Sequence, residues 1–407
     1  MTSPTEALFT AALGLTPPWQ CTKTEFSVDA SRLDLWLDFP AGSRFACPEC
    51  GKDAMPVHDT VDKQWRHMDF FQHVCYLHAR VPRVQCADCG VLQVPVPWAR
   101  PGSGFTMLFE ALVLSMAPHM PVAVIARQLR VQDTRLWRIL RHHVNTARDR
   151  EDVHAVDAVA IDETSRRRGH LYVSLVADIK KRRVLFATAG RDQTVLGKFA
   201  DDFHAHGGDP DAIRHVSMDM SPAFIAGVRE CLPNARITFD RFHLMKLANE
   251  ALDTVRRQEA AENPLLKGSR YLWLRNPSHL GARQEDRLWD LRRQTRKTGL
   301  AYEIVQGLRT FFVLESHLAE PYLKRWYHRA RCSRLTPIKE LALTIKRHWD
   351  GVLQFHATRM TAGFLEGINS LVQAAKRKAR GYRSTENLIT MIYLIAGKLD
   401  LQPTHTK

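Results

Sequence analysis

The chain has 407 residues, room for two to four domains at roughly 100–200 residues each. Its composition, 45% apolar and 25% charged with 8 cysteines, excludes a disordered or collagen-like chain and a disulfide-dense mini-protein. A formal net charge of +15 favours polyanionic partners, because each Lys or Arg that neutralises a phosphate releases counterions.

From the N-terminus, MTSPTEALFTAALGLTPPWQ lacks the basic start of a secretion signal. No stretch of the chain approaches the ~18–20 apolar residues of a membrane span. The expectation is a soluble intracellular protein with no membrane partner. Residues 25–90 read as short strands, with partial period-two patterning in FSVDASRLDLWLDF and HVCYLHARVPRVQC. Two knuckles interrupt them, Cys47-Pro-Glu-Cys50-Gly and Cys86-Ala-Asp-Cys89-Gly, with 35 residues between. Each sets two thiolates on a tight turn, and the Gly supplies the backbone angle that follows. Four thiolates suit a tetrahedral structural Zn²⁺, and in a reducing compartment metal binding is favoured over a disulfide. The alternatives are a redox pair or chance spacing. Cys75 reads as core, and Cys21, Cys231 and Cys332 as isolated structural residues. His58, His67, His73 and His78 could ligate, but the four cysteines already complete a set.

The segment Val94–Gly104 holds three prolines and two glycines, and reads as a linker with a domain boundary nearby. Helices follow over Phe105–Ala117, Pro121–Leu129 and from Asp133 to about Arg148, with Asp133 as a cap. The last two suit a helix-turn-helix, although the turn has no glycine. Val124, Ile125, Leu129, Val131, Leu136 and Leu140 would bury. Thr134, Arg135, Arg138, Arg141 and His142 would point outward, where a recognition helix meets DNA. A packed helical linker with a solvated basic face is the alternative. Basic residues also concentrate at Ile125–Arg150, Tyr322–Asp350 and Arg359–Arg383, with seven, eight and six cations against two, two and one acids. That distribution suggests a long nucleic-acid path, or else three solvated helix faces.

Val156–Asp162, His170–Asp178 and Arg183–Ala189 read as three strands. A helix over Asp192–His206, a strand at Arg214–Asp219, a helix at Ala223–Cys231 and a strand at Ala235–Asp240 complete a mixed α/β pattern. From Phe242 to about Phe355 the pattern is helical, with Trp273, Trp289, Trp326 and Trp349 as apolar anchors. Thr361–Leu399 is also mostly helical. Asp162 and Asp219 end apolar strands, where two carboxylates could share Mg²⁺, a hard cation that takes oxygen ligands. Glu366 is the candidate third acid. At helical spacing it shares a face with Asn369, Gln373, Arg377 and Arg380. Two metals about 3.5–4 Å apart can stabilise both oxygens of a phosphodiester displacement. Each Asp taken alone could instead cap a turn, and Asp157, Glu163 and Asp178 are nearby decoys.

Together these motifs resemble the ISL3 family of bacterial insertion-sequence transposases, over nearly the whole chain. The two CxxC knuckles look like its zinc ribbon, 105–150 like its helix-turn-helix, and AIDET and SMDMSPAF like the motifs of its two catalytic aspartates. FDRFHLMK resembles a strand-to-helix motif with Asp240 and His243, and SRYLWLRNPSHL a stretch of its helical insertion. LEGINSLVQAAKRKARGYRSTENL resembles its C-terminal signature. The resemblance implies a multidomain α/β protein: a zinc-ribbon segment (1–98), a helix-turn-helix domain (99–150) and an RNase H-like core. The core would comprise 151–243 and 356–407, split by an all-α insertion at 244–355. It implies a DDE transposase with catalytic Asp162, Asp219 and Glu366 holding two Mg²⁺ (or Mn²⁺) ions, and with Asp240 and His243 beside them. The gaps of 57 and 147 positions between these acids agree, the second being long enough to hold the insertion. Gln373 and Ala374 stand where more basic character is expected.

The expected function is binding of double-stranded DNA, at terminal inverted repeats and at a target, followed by strand cleavage and transfer. Arg135, Arg138, Arg141, Lys376, Arg377 and Arg380 are the expected DNA contacts. A homodimer or higher assembly in the bacterial cytoplasm is implied, because two element ends must meet. A DNA-binding regulator without catalysis, or an RNase H-fold nuclease such as a resolvase, are the rival readings.

Overall fold

The computed structural model describes residues 3–167 and 171–401. It divides into two compact units, one built from the chain up to Ala147 with the stretch from Leu399, the other from Arg148–Lys398.

The first unit opens with helix α1 (Pro4–Ala12) and continues into a six-stranded sheet of β1 (Gln20–Ser27), β2 (Arg32–Asp38), β3 (Arg44–Phe45), β4 (Met55–Phe70), β5 (His73–Cys86) and β6 (Gly90–Gln93). The order is β1-β2-β5-β4-β3, with β6 also on β5. Period-two patterning sets its core. Leu33, Leu35 and Leu37 of β2 and Cys75, Leu77, Ala79 and Val81 of β5 are buried, while the residues between them are more exposed. The strands are not all short as expected: β4 and β5 have 16 and 14 residues. A tight reversal at Phe71 (φ 53°) lets the two arms pair along nearly their full length.

The Pro-rich segment after β6 is packed rather than free. Val94, Trp98 and Ala99 are buried in the sheet core, and the backbone of Arg66 in β4 pairs with Gly104 and Thr106. Three helices follow, α2 (Met107–Met116), α3 (Val122–Gln128) and α4 (Asp133–Arg148). Ile125, Leu129, Leu136 and Leu140 are buried as expected. Val124 and Val131 are only half-buried, since they flank the inward stripe. Arg130 supplies the turn's left-handed residue (φ 56°), and its guanidinium is tied to Gln72 O (2.9 Å) and to Asp69. Tertiary contacts thus hold an angle that a glycine would adopt freely.

The second unit contains a five-stranded sheet: β7 (Ala158–Arg167), β8 (Leu171–Asp178), β9 (Arg183–Ala189), β10 (His215–Met218) and β11 (Arg236–Phe239). His170, the expected first residue of β8, lies outside the described residues. The order is β11-β10-β7-β8-β9. β7, β8 and β9 form an antiparallel meander, and β10 and β11 add in parallel beside β7, the RNase H-like arrangement. α5 (Thr194–Ala205) buries Val195, Leu196, Phe199 and Phe203 at helical spacing, and α6 (Pro222–Cys231) buries Phe224 and Val228.

No strand occurs among the described residues after β11. The helices are α7 (Arg241–Ala260), α8 (Arg270–Leu274), α9 (Ala282–Gln294), α10 (Arg296–Phe311), α11 (Ser316–Arg331), α12 (Thr336–Arg347), α13 (Trp349–Thr358), α14 (Gly363–Lys378) and α15 (Thr385–Ala396). They extend the sheet's core through Trp273, Leu308, Phe311 and Leu323. Trp273 and Trp326 anchor it, their indole nitrogens donating to Ser269 Oγ (3.1 Å) and Ile304 O (2.8 Å). Trp349 is half-buried against the same core. Trp289 does not act as an anchor: it is 58% exposed, because Leu288 and Leu291 set the inward stripe of α9 and Trp289 is one residue out of phase. α13 meets β11 at Gly351, where any Cβ would lie 2.4 Å from the Phe239 ring. No described helix is long and apolar enough to cross a membrane.

Candidate active site

The sheet register brings three aspartates into one row. On β10 and β7, Val216 lies opposite Val159 and Ser217 opposite Ala160. Continued by two residues, that register sets Asp219 beside Asp162. On β10 and β11, Met218 lies opposite Phe239, so the next pair is Asp219 and Asp240. Local hydrogen bonds fix each one. The Glu163 amide donates to Asp162 Oδ1 (2.7 Å), and the Ser221 amide to Asp219 Oδ1 (2.9 Å). Asp240 caps α7 through the Phe242 amide (3.3 Å), and its own amide donates to Met218 O (2.9 Å).

The row concentrates negative charge in a half-closed place. Burial raises the Asp162 carboxyl above its ordinary range, the Asp219 and Asp240 charges raise it further, and the Glu163 amide and His243 oppose them. Glu163 is raised by burial too, against the pull of Arg191 and with the push of Asp219 and Asp162. His243 Nδ1 sits 3.4 Å from Asp240 Oδ2, an ion pair without hydrogen-bond alignment. Asp240 first, then Asp162, raise the imidazole's pKa against its burial.

α14 leans on β7 across the row. Asn369 Nδ2 donates to Asp162 Oδ2 (2.8 Å). Gln373 Nε2 donates to Thr164 Oγ1 (2.9 Å) and Ser165 O (3.0 Å), and Lys376 Nζ to Ser165 O (2.7 Å). Glu366 lies one turn before Asn369 on that helix, exposed, and without a hydrogen bond or ion pair among the described residues. Asp162, Asp219 and Glu366 do not close into a set with ligand atoms within 4.8 Å. Helical phase corrects one expectation. The face against β7 runs Asn369, Gln373, Lys376, whereas Arg377 and Arg380 are turned to solvent. Gln373, whose lack of charge stood out in the sequence, serves as a strap onto β7.

Asn369 and Glu163 are the members that sequence reasoning missed. The i, i+3 spacing from Glu366 pointed at Asn369; its partner 207 positions away had no local signal. The other decoys are structural. Asp178 accepts from the Lys180 and Lys181 amides (2.8 and 3.0 Å) in the β8–β9 turn, and Asp157 pairs with Lys180 Nζ (2.7 Å).

In the first unit, Cys47, Cys50, Cys86 and Cys89 bring their sulfurs within 4.8 Å of one another, the only such group of three or more ligating side chains among the described residues. Zn–S bonds of about 2.3 Å in a tetrahedron put sulfurs about 3.8 Å apart, and Cys50 and Cys86 Sγ are 3.7 Å apart. Gly51 and Gly90 follow the knuckles at φ 71° and 79°. The Cys50 and Glu49 amides pull the Cys47 thiol down to about 7. The residues fit a structural Zn²⁺. Cys75 and Cys21 are buried, Cys231 half-buried, but Cys332 is exposed near the end of α11, its Sγ 3.8 Å from His328 Nε2. Chelating the zinc, or Cys50→Ser, is expected to lower the Tm by about 5–10 °C, at roughly 2–4 °C per kcal/mol. Calorimetry with parallel metal analysis checks this; an unchanged Tm in metal-free protein would rule out a structural metal.

On α4, Thr134, Arg138 and His142 are exposed as expected of a recognition helix. Arg135 and Arg141 are half-buried. Arg135 is folded back, its guanidinium 4.3 Å over the Phe105 ring.

A cysteine-quartet ribbon, a helix-turn-helix and a mixed sheet edged with carboxylates, joined in one basic chain, define a transposase. Family profiles agree along the chain. A zinc-finger of transposases IS204/IS1001/IS1096/IS1165 matches residues 43–89, the helix-turn-helix domain of transposase family ISL3 matches 94–144, and the ISL3 transposase domain matches 159–392. The chain belongs to the ISL3 transposase family. It is 29% identical over 383 residues to the transposase for insertion sequence element IS1557 of Mycobacterium tuberculosis, covering 86% of this chain and 85% of that one. It is 25% identical over 375 residues to the transposase for IS1001 of Bordetella parapertussis, covering 89% and 92%.

Proposed function

We propose that the second unit is a DDE-type centre that cuts DNA strands at the terminal inverted repeats of an insertion sequence and joins the freed 3′-hydroxyl to target DNA. The observation that carries this is the convergence of Asp162 and Asp219 on adjacent strands, with α14, the helix of Glu366, bonded to Asp162 through Asn369. Asp162, Asp219 and Glu366 would hold two Mg²⁺ (or Mn²⁺) ions, whose oxygen-seeking charge suits a row of carboxylates that burial and mutual repulsion leave undercompensated. When bound, such ions stabilise the attacking and leaving oxygens of an in-line displacement. Asn369 is a positioning residue that fixes the Asp162 carboxylate. His243, whose pKa Asp240 raises against its burial, faces the site as a partner for a scissile phosphate. Glu366 reaches the site by a side-chain swing or a small shift of the first turn of α14.

The α7–α13 helices are an insertion within the RNase H-like core, between β11 and α14. The zinc ribbon (1–98) and helix-turn-helix (99–150) are the recognition end. There Arg138 reads DNA, with Arg135 and Arg141 as closer-held phosphate contacts. Lys376 holds α14 in place, which leaves Arg377 and Arg380 as the DNA contacts of that helix. A dimer or higher assembly holds two ends together.

The test is a nicking and strand-transfer assay on a repeat-ended duplex with Mg²⁺. Glu366→Gln, at an exposed position that supports no fold contact, should lose both products by about a thousandfold while binding the duplex as the wild type does. Wild-type protein that binds the repeat and never nicks it would establish a DNA-binding regulator instead. Nicking without strand transfer would favour a nuclease.

A further inference from the structure

A cleft of about 1200 Å³ opens beside Asp240. Its walls are one face of α7, the end of α8 and the approach to α14 at Thr361 and Gly363. The spacing of α7 decides what lines it. Phe242, Met245, Lys246 and Asn249 recur at three and four residues and face the cleft, whereas Leu244, Ala248 and Leu252 are buried in the core. The volume exceeds the roughly 300–1,000 Å³ of small-ligand pockets.

The charge of this cleft is unbalanced: Arg241, Lys246, Arg256, Arg257, Arg270 and Arg309 line it against Asp240, Glu250 and Asp253. Asp253 is already shared among Arg256 (2.8 Å), Arg270 (3.2 Å) and Arg257 (3.7 Å). Arg241, Lys246 and Arg309 have no carboxylate partner among the described residues. Arg309 is half-buried, donates to Asn249 Oδ1 and Leu274 O (both 3.3 Å), and has a buried Nε with no partner. A guanidinium held out of water beside a second cation is stabilised by an anion brought in from outside. At the mouth, directly after Asp240-Arg241, the Phe242 ring is 50% exposed. Aromatic rings beside cations suit single strands, whose bases have free faces; a duplex hides its base faces in its own stack.

We propose that this cleft binds an unpaired stretch of DNA leaving the active site, with phosphates on Arg241, Lys246 and Arg309 and a base stacked on Phe242. Its placement rests on the reading of the aspartate row as a DNA-cutting centre; the binding itself does not require cutting.

The experiment is fluorescence anisotropy on the full chain without added magnesium. The probes are an oligo-dT of about ten nucleotides, within the ~4–16 that single-strand grooves take, and a duplex of the same length. Phe242→Ala should weaken single-strand binding by about 5- to 100-fold, the range of one lost base stack, with duplex binding unchanged. Phe242→Tyr should restore it. Lys246→Gln and Arg309→Gln should each flatten the slope of log affinity against log salt by about 0.7. Single-strand affinity unchanged in Phe242→Ala, or falling in step with duplex affinity, overturns the proposal. Should Phe242→Ala melt early, the salt slope of Lys246→Gln, at an exposed side chain, decides. Nicking with Mg²⁺ is scored separately. Wild-type protein with Phe242-dependent single-strand binding and no nicking keeps the cleft and sinks the cutting centre; the reverse result sinks the cleft alone.

Discussion

Asp162→Asn should abolish strand nicking yet leave the metal-free protein at least as stable as the wild type. The two effects have one source. Asp162 lies in the row with Asp219 and Asp240, and burial followed by their charges raises its pKa in the fold. A carboxyl whose folded value lies above its unfolded value costs stability once ionised, and the cost is relieved as pH falls through the folded value. Asn removes that charge and keeps the shape: its oxygen still accepts from the Glu163 amide, and its NH2 donates to Asn369 once that side-chain amide turns to present its unpartnered Oδ1. Activity goes the other way. An amide is a poor ligand for a hard divalent cation, so nicking should fall about a thousandfold or more, some 4 kcal/mol of barrier. Melting curves with and without Mg²⁺ read both. A ligand at a hundred times its Kd stabilises the wild type by about 2.7 kcal/mol, and Asp162→Asn should lose that increment. A variant that nicks normally, or gains the same stability from Mg²⁺, would remove Asp162 from the centre.

Which parts of this could be read from the sequence follows from the range of each physical signal. β9 and β5 follow continuous apolar or period-two patterns and end where Asp, Gly or Cys-x-x-Cys turns end them, so their bounds are local facts. α1 was missed although Ser3-Pro4 and Glu6 form a capping box, with Glu6 Oε2 accepting from the Ser3 amide at 2.8 Å. That helix buries no residue fully, so its apolar periodicity was weak. β7 runs five residues past Asp162 because β8 pairs with it as far as Arg167, a long-range cause that the local run AVAID does not contain. Trp289 was assigned to the core by residue type, and helical phase overruled that.

The candidate site divides in the same way. The cysteine knuckles carry their geometry in their spacing, and the four sulfurs meet as the spacing requires. The aspartate row depends on register between strands 57 positions apart, which strand ends suggest but cannot fix. Asn369, Gln373 and Lys376 are decided by which stripe of α14 meets β7. One step of helical phase exchanges Lys376 for Arg377, so a role assigned to the basic cluster as a whole had to be divided between a structural lysine and two exposed arginines.

Glu110→Gln should destabilise the first unit by about 3–5 kcal/mol, the cost of breaking a buried ion pair from one side. Glu110 is fully buried on α2. It accepts from Arg100 Nε (2.9 Å), His143 Nε2 (2.6 Å) and Ser103 Oγ (2.6 Å), so it ties α2 to α4 and to the Pro-rich segment. Burial raises its pKa, but these partners, His143 foremost, outweigh that and hold it below its ordinary 4.5. The stability it contributes is therefore present above pH 4.5 and is lost as pH falls through the lower folded value. His67 acts earlier on the same scale. Burial, reinforced by Arg66, pushes it down to about 4 from 6.5, so the unfolded chain takes up a proton first and stability falls between those values, by at most about 3 kcal/mol. Urea unfolding between pH 7 and 3 should show the loss in two stages, and Glu110→Gln should erase only the more acidic one. At neutral pH that variant should also bind duplex DNA more weakly, because the helix carrying Arg138 loses its tie to α2. Replacing Glu110, Arg100 and His143 together by Met, Met and Leu should recover much of the stability, since no charge is then left buried alone. A Glu110→Gln protein as stable as the wild type at pH 7 would mean that the three partners find water instead, and that the carboxylate is not what holds α4 in place.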